Sequence, residues 1–164
     1  VKRALVPGSF DPIHNGHLEV IERVASMFDE VLVAAVHNPN KPSGFFTLAE
    51  REAMLAETLG HIGNVTIGHF WGLLVNYAED QNCSVIVKGL RAVSDFEYEL
   101  QMAQMNNQLK GIPTLFLPTA SRHSFLASRL IREVAQYGGD VSTMVPPGVA
   151  RALAAKFPRD GADG

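Results

Sequence analysis

A chain of 164 residues, 46% hydrophobic and 19% charged, can bury one substantial core, so a single globular domain is the expectation. A formal charge of −3, from 14 basic and 17 acidic residues, excludes a protein held mainly by nucleic-acid phosphates. No apolar run approaches the roughly 20 residues that span a bilayer, no charged and apolar leader opens the chain, and the lone Cys83 cannot form an internal disulfide, so a soluble, cytoplasmic protein without a membrane partner is expected.

β-rich runs recur at Ala4–Val6, Glu30–Val36, Asn64–Ile67, Ser84–Val87 and Thr114–Leu117. After the first, Leu18, Ile21, Val24, Ala25 and Phe28 fall three or four residues apart and predict a helix that begins near His17. Thr47-Leu48-Ala49-Glu50 and Ser94-Asp95-Phe96-Glu97 each place a hydroxyl three residues before a glutamate, the pattern of a capping box. On the second of these helices Met102, Met105 and Leu109 form a stripe that reads as core. Further helices are expected from Leu73 to Asp80, from Ser128 to Tyr137 before the stop at Gly138-Gly139, and from Pro147 to near Phe157. Residues 158–164 read as a loose tail behind a domain of residues 1–157.

Continuously apolar strands alternating with helices predict a doubly wound α/β sheet of about five parallel strands, helices on both faces, joined by right-handed crossovers. Ligands bind such sheets beyond the carboxyl ends of the strands, and the unusual residues collect in those loops.

The first loop, "PGSFDPIHNGH", has Gly8 and Gly16 where a ligand must approach backbone, ahead of a helix whose free amides suit a phosphate. It is neither a Walker A sequence nor G-x-G-x-x-G. His14 and His17 lie one helical turn apart, so both can donate to one phosphate; two surface histidines beside a helix cap are the plainer alternative, and a zinc site lacks a third ligand. Asp11 is expected to fix the loop. Lys41 stands alone in "HNPNKPSGFF", "VKGLR" sets Lys88 and Arg91 around Gly89, and "SRHSFLASR" brings hydroxyls and cations to another helix start. Each has an ordinary surface reading when taken alone.

Taken in order, "GSFDPIHNGH", "NPNK", "FTLAERE", "KGLR", "DFEYELQMAQMN" and "SFLASRLIREVA" are similar to the nucleotidyltransferase superfamily marked by (H/T)-x-G-H. Within it the chain resembles the phosphopantetheine adenylyltransferase family from about Lys2 to Phe157. The resemblance implies a Rossmann-like fold and transfer of the adenylyl group of ATP to 4'-phosphopantetheine, giving dephospho-coenzyme A and pyrophosphate. It further implies magnesium carried by ATP, feedback inhibition by coenzyme A and a homohexamer.

The resemblance also assigns roles. His17 would stabilise the transition state at the α-phosphate, with Lys41 and Arg91 as the other catalytic residues. Ser9, Phe10, His17, Gly89, Leu90, Arg91, Glu99, His123, Ser124, Phe125, Leu126, Ala127, Ser128 and Arg129 would bind ATP. Ser9, Lys41, Leu74, Lys88, Met105 and Asn106 would bind the acceptor. No residue is implied as a metal ligand.

Three positions depart from the family pattern: His14 and Ser9 stand where threonine is common, and Ala127-Ser128-Arg129 replaces a run of three serines. The rivals are a nicotinamide mononucleotide adenylyltransferase, a glycerol-phosphate cytidylyltransferase, and a nucleotide- or coenzyme-A-binding sensor without catalysis. The "DFEYELQMAQMN" helix, which supplies the pantetheine side in the resembled family, sets the two enzymes apart.

Overall fold

The computed structural model describes residues 1–42, 44–91 and 93–158, with the backbone alone at 93–95. In chain order come β1 (Arg3–Gly8), α1 (Asn15–Met27), β2 (Glu30–Val36), α2 (Leu48–Leu59), β3 (Val65–Phe70) and α3 (Leu74–Asp80). They are followed by β4 (Val85–Leu90), α4 (Val93–Lys110), β5 (Thr114–Pro118), α5 (Ser128–Gln136) and α6 (Pro147–Lys156).

The strands make one sheet in the order β3-β2-β1-β4-β5, and every pairing is parallel. The chain winds outward from β1 to β3, returns to the middle at β4 and winds the other way, so the topological switch lies between β1 and β4. This is a Rossmann-like α/β domain. Side chains alternate across it: Ala4, Val6, Val31, Val33, Ala35, Val85 and Val87 face a large core with α1, α2, α5 and α6. Leu5, Leu32, Ala34 and Ile86 face a smaller one under α3, which adds Val75 and Ala78.

Composition alone ends β1, β3, β4 and β5 too early, β3 and β4 by the most. Gly68-His69-Phe70 and Lys88-Gly89-Leu90 are poor in β-formers, yet ladder pairing to β2 and to β5 carries β3 and β4 through them. The helix expected near His17 starts at Asn15, because His14 is its N-cap. Thr47 caps α2 as its capping box predicts. Ser94 is not the cap of α4, since the backbone is already helical at Val93; Ala92 and the 93–95 side chains lie outside the described residues, as do residues 159–164 of the expected tail.

The Met102, Met105 and Leu109 stripe is not core. Met105 and Leu109 are both more than half exposed, and Met102 is only partly buried. Apolar residues are spread around the axis of α4 instead of gathered on one side, so no single packed face can cover them.

Candidate active site

The loop after β1 is tied to its neighbours through a series of hydrogen bonds. Phe10 adopts φ 47, a conformation that costs a bulky side chain energy and persists only where surroundings impose it. A Cβ on Gly8 would lie 3.1 Å from the Phe10 ring, so a side chain there would push against the aromatic. The Asp11 carboxylate accepts from the amides of Phe45 and Phe46, both at 2.8 Å, and so ties the first loop to the second, as expected of it. Three loop carbonyls accept from side chains of other elements: Ser9 from Arg51 on α2 at 2.8 Å, Asp11 from Arg132 on α5 at 2.6 Å, and Pro12 from the Ser128 hydroxyl at 2.7 Å.

The two histidines are joined in a reciprocal cap. Nδ1 of His14 accepts from the amides of Gly16 and His17 at 3.0 and 3.3 Å, while the His14 amide donates to Nδ1 of His17 at 3.1 Å. Their rings stack with centroids 3.6 Å apart. An amide can only donate, so each Nδ1 presents a lone pair, and each neutral ring carries its proton on Nε2. Burial, then Arg91 and His123, lowers the His14 pKa to about 3. Burial, then His14 and Arg91, holds His17 well below the ordinary histidine value. The site therefore presents neutral N–H donors instead of imidazolium ions. The reading of two exposed surface histidines fails: His14 is a cap but fully enclosed, with Nε2 unpartnered among the described residues, and His17 is only partly exposed.

These groups line a cavity of about 470 Å³ at the switch point. Gly8, Ser9, Phe10, His14, Gly16 and His17 form one wall; Lys88, Gly89, Arg91 and Glu99 form the opposite wall; Ala127, Ser128 and Arg129 close it from α5. Lys88 and Glu99 form a 2.7 Å ion pair, so the glutamate that the resemblance assigns to ATP lies at the cavity beside a cation. The Arg91 guanidinium donates to the Leu126 carbonyl, fastening the end of β4 to the loop before α5.

Ten of the sequence-assigned residues thus line one cavity: Ser9, Phe10, His17, Lys88, Gly89, Arg91, Glu99, Ala127, Ser128 and Arg129. Lys41 stands on the exposed turn beyond β2, Leu74 opens α3, and Met105 and Asn106 lie farther along α4, the asparagine buried. Leu90 ends β4. His123, Ser124, Phe125 and Leu126 precede α5 without lining the cavity, and the His123 ring is taken up by a 2.9 Å contact with Glu19 that, first among its causes, lowers the Glu19 pKa.

Sequence reasoning missed Arg51, Glu19 and Arg132. Arg51 had a usable signal: it shares the buried face of α2 with Met54, Leu55, Thr58 and Leu59, and an arginine inside an apolar stripe is out of place unless it serves something there. Arg132 and Glu19 read as ordinary helix-surface charges, since their partners are remote in sequence.

Residues 5–134 match the model of the family described as cytidylyltransferase-like. A protein of Corynebacterium diphtheriae named phosphopantetheine adenylyltransferase is 50% identical over 156 residues, covering 95% of this chain and 98% of its own. Proteins of the same name from Streptomyces coelicolor and Thermobifida fusca are 53% identical over 153 residues and 52% over 157. Those alignments cover 93% and 96% of this chain, and 96% and 95% of the respective relatives.

Proposed function

The chain belongs to the cytidylyltransferase-like family and, within it, to the phosphopantetheine adenylyltransferases, and from that membership we infer that it transfers the adenylyl group of ATP to 4'-phosphopantetheine. The products are dephospho-coenzyme A and pyrophosphate, a step of coenzyme A biosynthesis. An oxygen of the acceptor phosphate bonds to the α-phosphorus as the bond from that phosphorus to the β-phosphate oxygen breaks.

The observation that carries the mechanism is the pair of neutral rings fixed at the switch point. Nε2–H of His17 is a donor whose place is set before substrate arrives, so it can meet charge as it builds on the α-phosphate without reorganisation. With Nδ1 engaged and Nε2 protonated, His17 has no lone pair free to act as a base. It contributes by hydrogen bonding and positioning.

Lys88 and Arg91 add positive charge on the opposite wall, and Glu99 holds Lys88 in place. Ser9, with the Phe10 backbone, receives nucleotide and acceptor phosphates, and Lys41 neutralises the acceptor phosphate from the rim. Gly89, Leu90 and the stretch from His123 to Arg129 complete the ATP side. Leu74, Met105 and Asn106 border the pantetheine arm, whose mixed apolar and amide character suits a partly buried leucine and an exposed thioether beside a buried amide. Where the resembled family has serines at 127 and 129, Arg129 supplies a cation at the same cavity wall.

Magnesium accompanies ATP and supplies charge neutralisation on the triphosphate when bound. Among the described residues no three histidine, cysteine, aspartate or glutamate side chains gather as a metal cluster, and we assign the ion no protein ligand. We take residues 1–157 as the transferase domain, a homohexamer as its assembly, coenzyme A as an inhibitor and the cytoplasm as its place. Cys83, a buried free thiol, is compatible with a reducing compartment. No helix among the described residues is long and apolar enough to cross a membrane.

The test is pyrophosphate release from magnesium-ATP with 4'-phosphopantetheine, nicotinamide mononucleotide or glycerol 3-phosphate, the last repeated with CTP. Release with phosphopantetheine alone is expected. Release with another acceptor moves the chain to that reaction, and nucleotide binding without release makes it a sensor.

A further inference from the structure

Arg51 is the one charged side chain among the described residues that is almost wholly enclosed, at 4% exposure, while forming no ion pair there. Its Nη1 donates to the carbonyls of Ser9 and Val36 at 2.8 and 2.9 Å, and its buried Nε has no partner among the described residues. Burying a cation without a counter-charge is expensive, and two carbonyl bonds offset that cost only in part. A hydrophobic residue would serve the α2 face better if packing were the only demand.

The two carbonyls mark the place of this cation. Val36 ends β2, just before the loop that carries Lys41, and Ser9 directly follows β1. The next residue, Phe10, is the one held at φ 47. One guanidinium therefore fixes the separation of the two loops to which the acceptor phosphate has been assigned, and does so 2.8 Å from the backbone of Ser9.

We propose that Arg51, buried behind the cavity, is a positioning residue for the phosphate of the acceptor: it sets the Ser9 loop against the Lys41 loop and supplies a positive charge that forms no ion pair among the described residues. The proposal rests on the reading of Ser9 and Lys41 as the acceptor-phosphate side. Its ligand class is a phosphomonoester dianion, and its effect falls on the acceptor in preference to ATP.

The experiment compares Arg51→Lys and Arg51→Met with the unaltered protein and with Leu59→Ala, a cavity in the same helix remote from the site. For each, melting temperature, KM for phosphopantetheine, kcat and ATP affinity are measured. Turnover of phosphopantetheine by the unaltered protein tests the assigned reaction separately. Arg51→Met is expected to raise the acceptor KM at least tenfold while ATP affinity stays within about twofold. Arg51→Lys, which keeps the charge but not the two-carbonyl geometry, is expected to recover part of that loss, and Leu59→Ala to lower the melting temperature without changing the acceptor KM. An unchanged acceptor KM in Arg51→Met, equal losses for ATP and acceptor, the same KM rise in Leu59→Ala, or failure of both Arg51 variants to fold would each overturn the proposal and leave Arg51 a structural residue.

Discussion

The loop after β1 lines the cavity along its length and the helix after β4 reaches it through Glu99, and the two are built on opposite terms. In the loop, carbonyls of Ser9, Asp11 and Pro12, both Asp11 carboxylate oxygens and both histidine Nδ1 atoms have partners. On α4, by contrast, Tyr98, Leu100, Met105 and Leu109 stand in the open, while the Lys88–Glu99 pair and the edge contact of Phe96 on Phe116 tie the start of the helix to the sheet. The difference separates two tasks. Meeting charge in a transition state rewards donors that cannot move, whereas holding a long flexible substrate arm rewards exposed apolar surface that its burial can use.

The largest effect should come from the rigid wall. His17→Ala is expected to lower kcat on the order of 100- to 1,000-fold with ATP affinity changed only a few-fold, because the donor acts chiefly in the transition state. Steady-state rates beside calorimetric ATP binding check this; loss of binding without loss of turnover would place His17 on the wrong side of the comparison. Asp11→Ala leaves the amides of Phe45 and Phe46 without their acceptor and should destabilise the fold by about 2–4 kcal/mol in denaturant titration. A change within 0.5 kcal/mol, roughly the size for an ordinary surface site, would mean that the loop is not clamped.

Acid separates the walls next. His14 in the folded protein has a pKa near 3, below the ordinary value of 6.5, so the unfolded chain binds the extra proton first. Its contribution is complete above pH 6.5 and is lost as pH falls from there toward 3, by about 1.4 kcal/mol per pH unit. Denaturant titrations at pH 7.5 and 5.5 should differ by more than that amount, because His17 is held low as well and adds to the same loss, and His14→Thr should reduce the difference without abolishing it. The smallest effect belongs to the open wall: Met105→Ala should raise the acceptor KM a few-fold and leave melting temperature unchanged, since its side chain is exposed.

Much of this was legible in the sequence because it rests on local pattern. Alternation of apolar strands with helices gives the sheet, and the Thr47–Glu50 capping box gives the start of α2. The ordered motifs bring Ser9, His17, Lys88, Arg91 and Ser128 to one cavity. What escaped depends on pairs far apart in the chain. Arg51 meets Ser9, Arg132 meets Asp11 and Glu19 meets His123 only after the sheet has closed. The extension of β4 through Lys88 and Gly89 is likewise set by its neighbour β5, and the exposure of Met105 by the lack of one apolar face on α4.

The central claim is that His17 stands as a fixed neutral Nε2–H donor before substrate binds. The most direct measurement is the nitrogen-15 NMR spectrum of the histidine rings, assigned through His17→Asn, from pH 5 to 8. A His17 signal with a bare Nδ1 and a protonated Nε2 throughout that range is the predicted result. Titration near pH 6.5, or a proton on Nδ1, would contradict it.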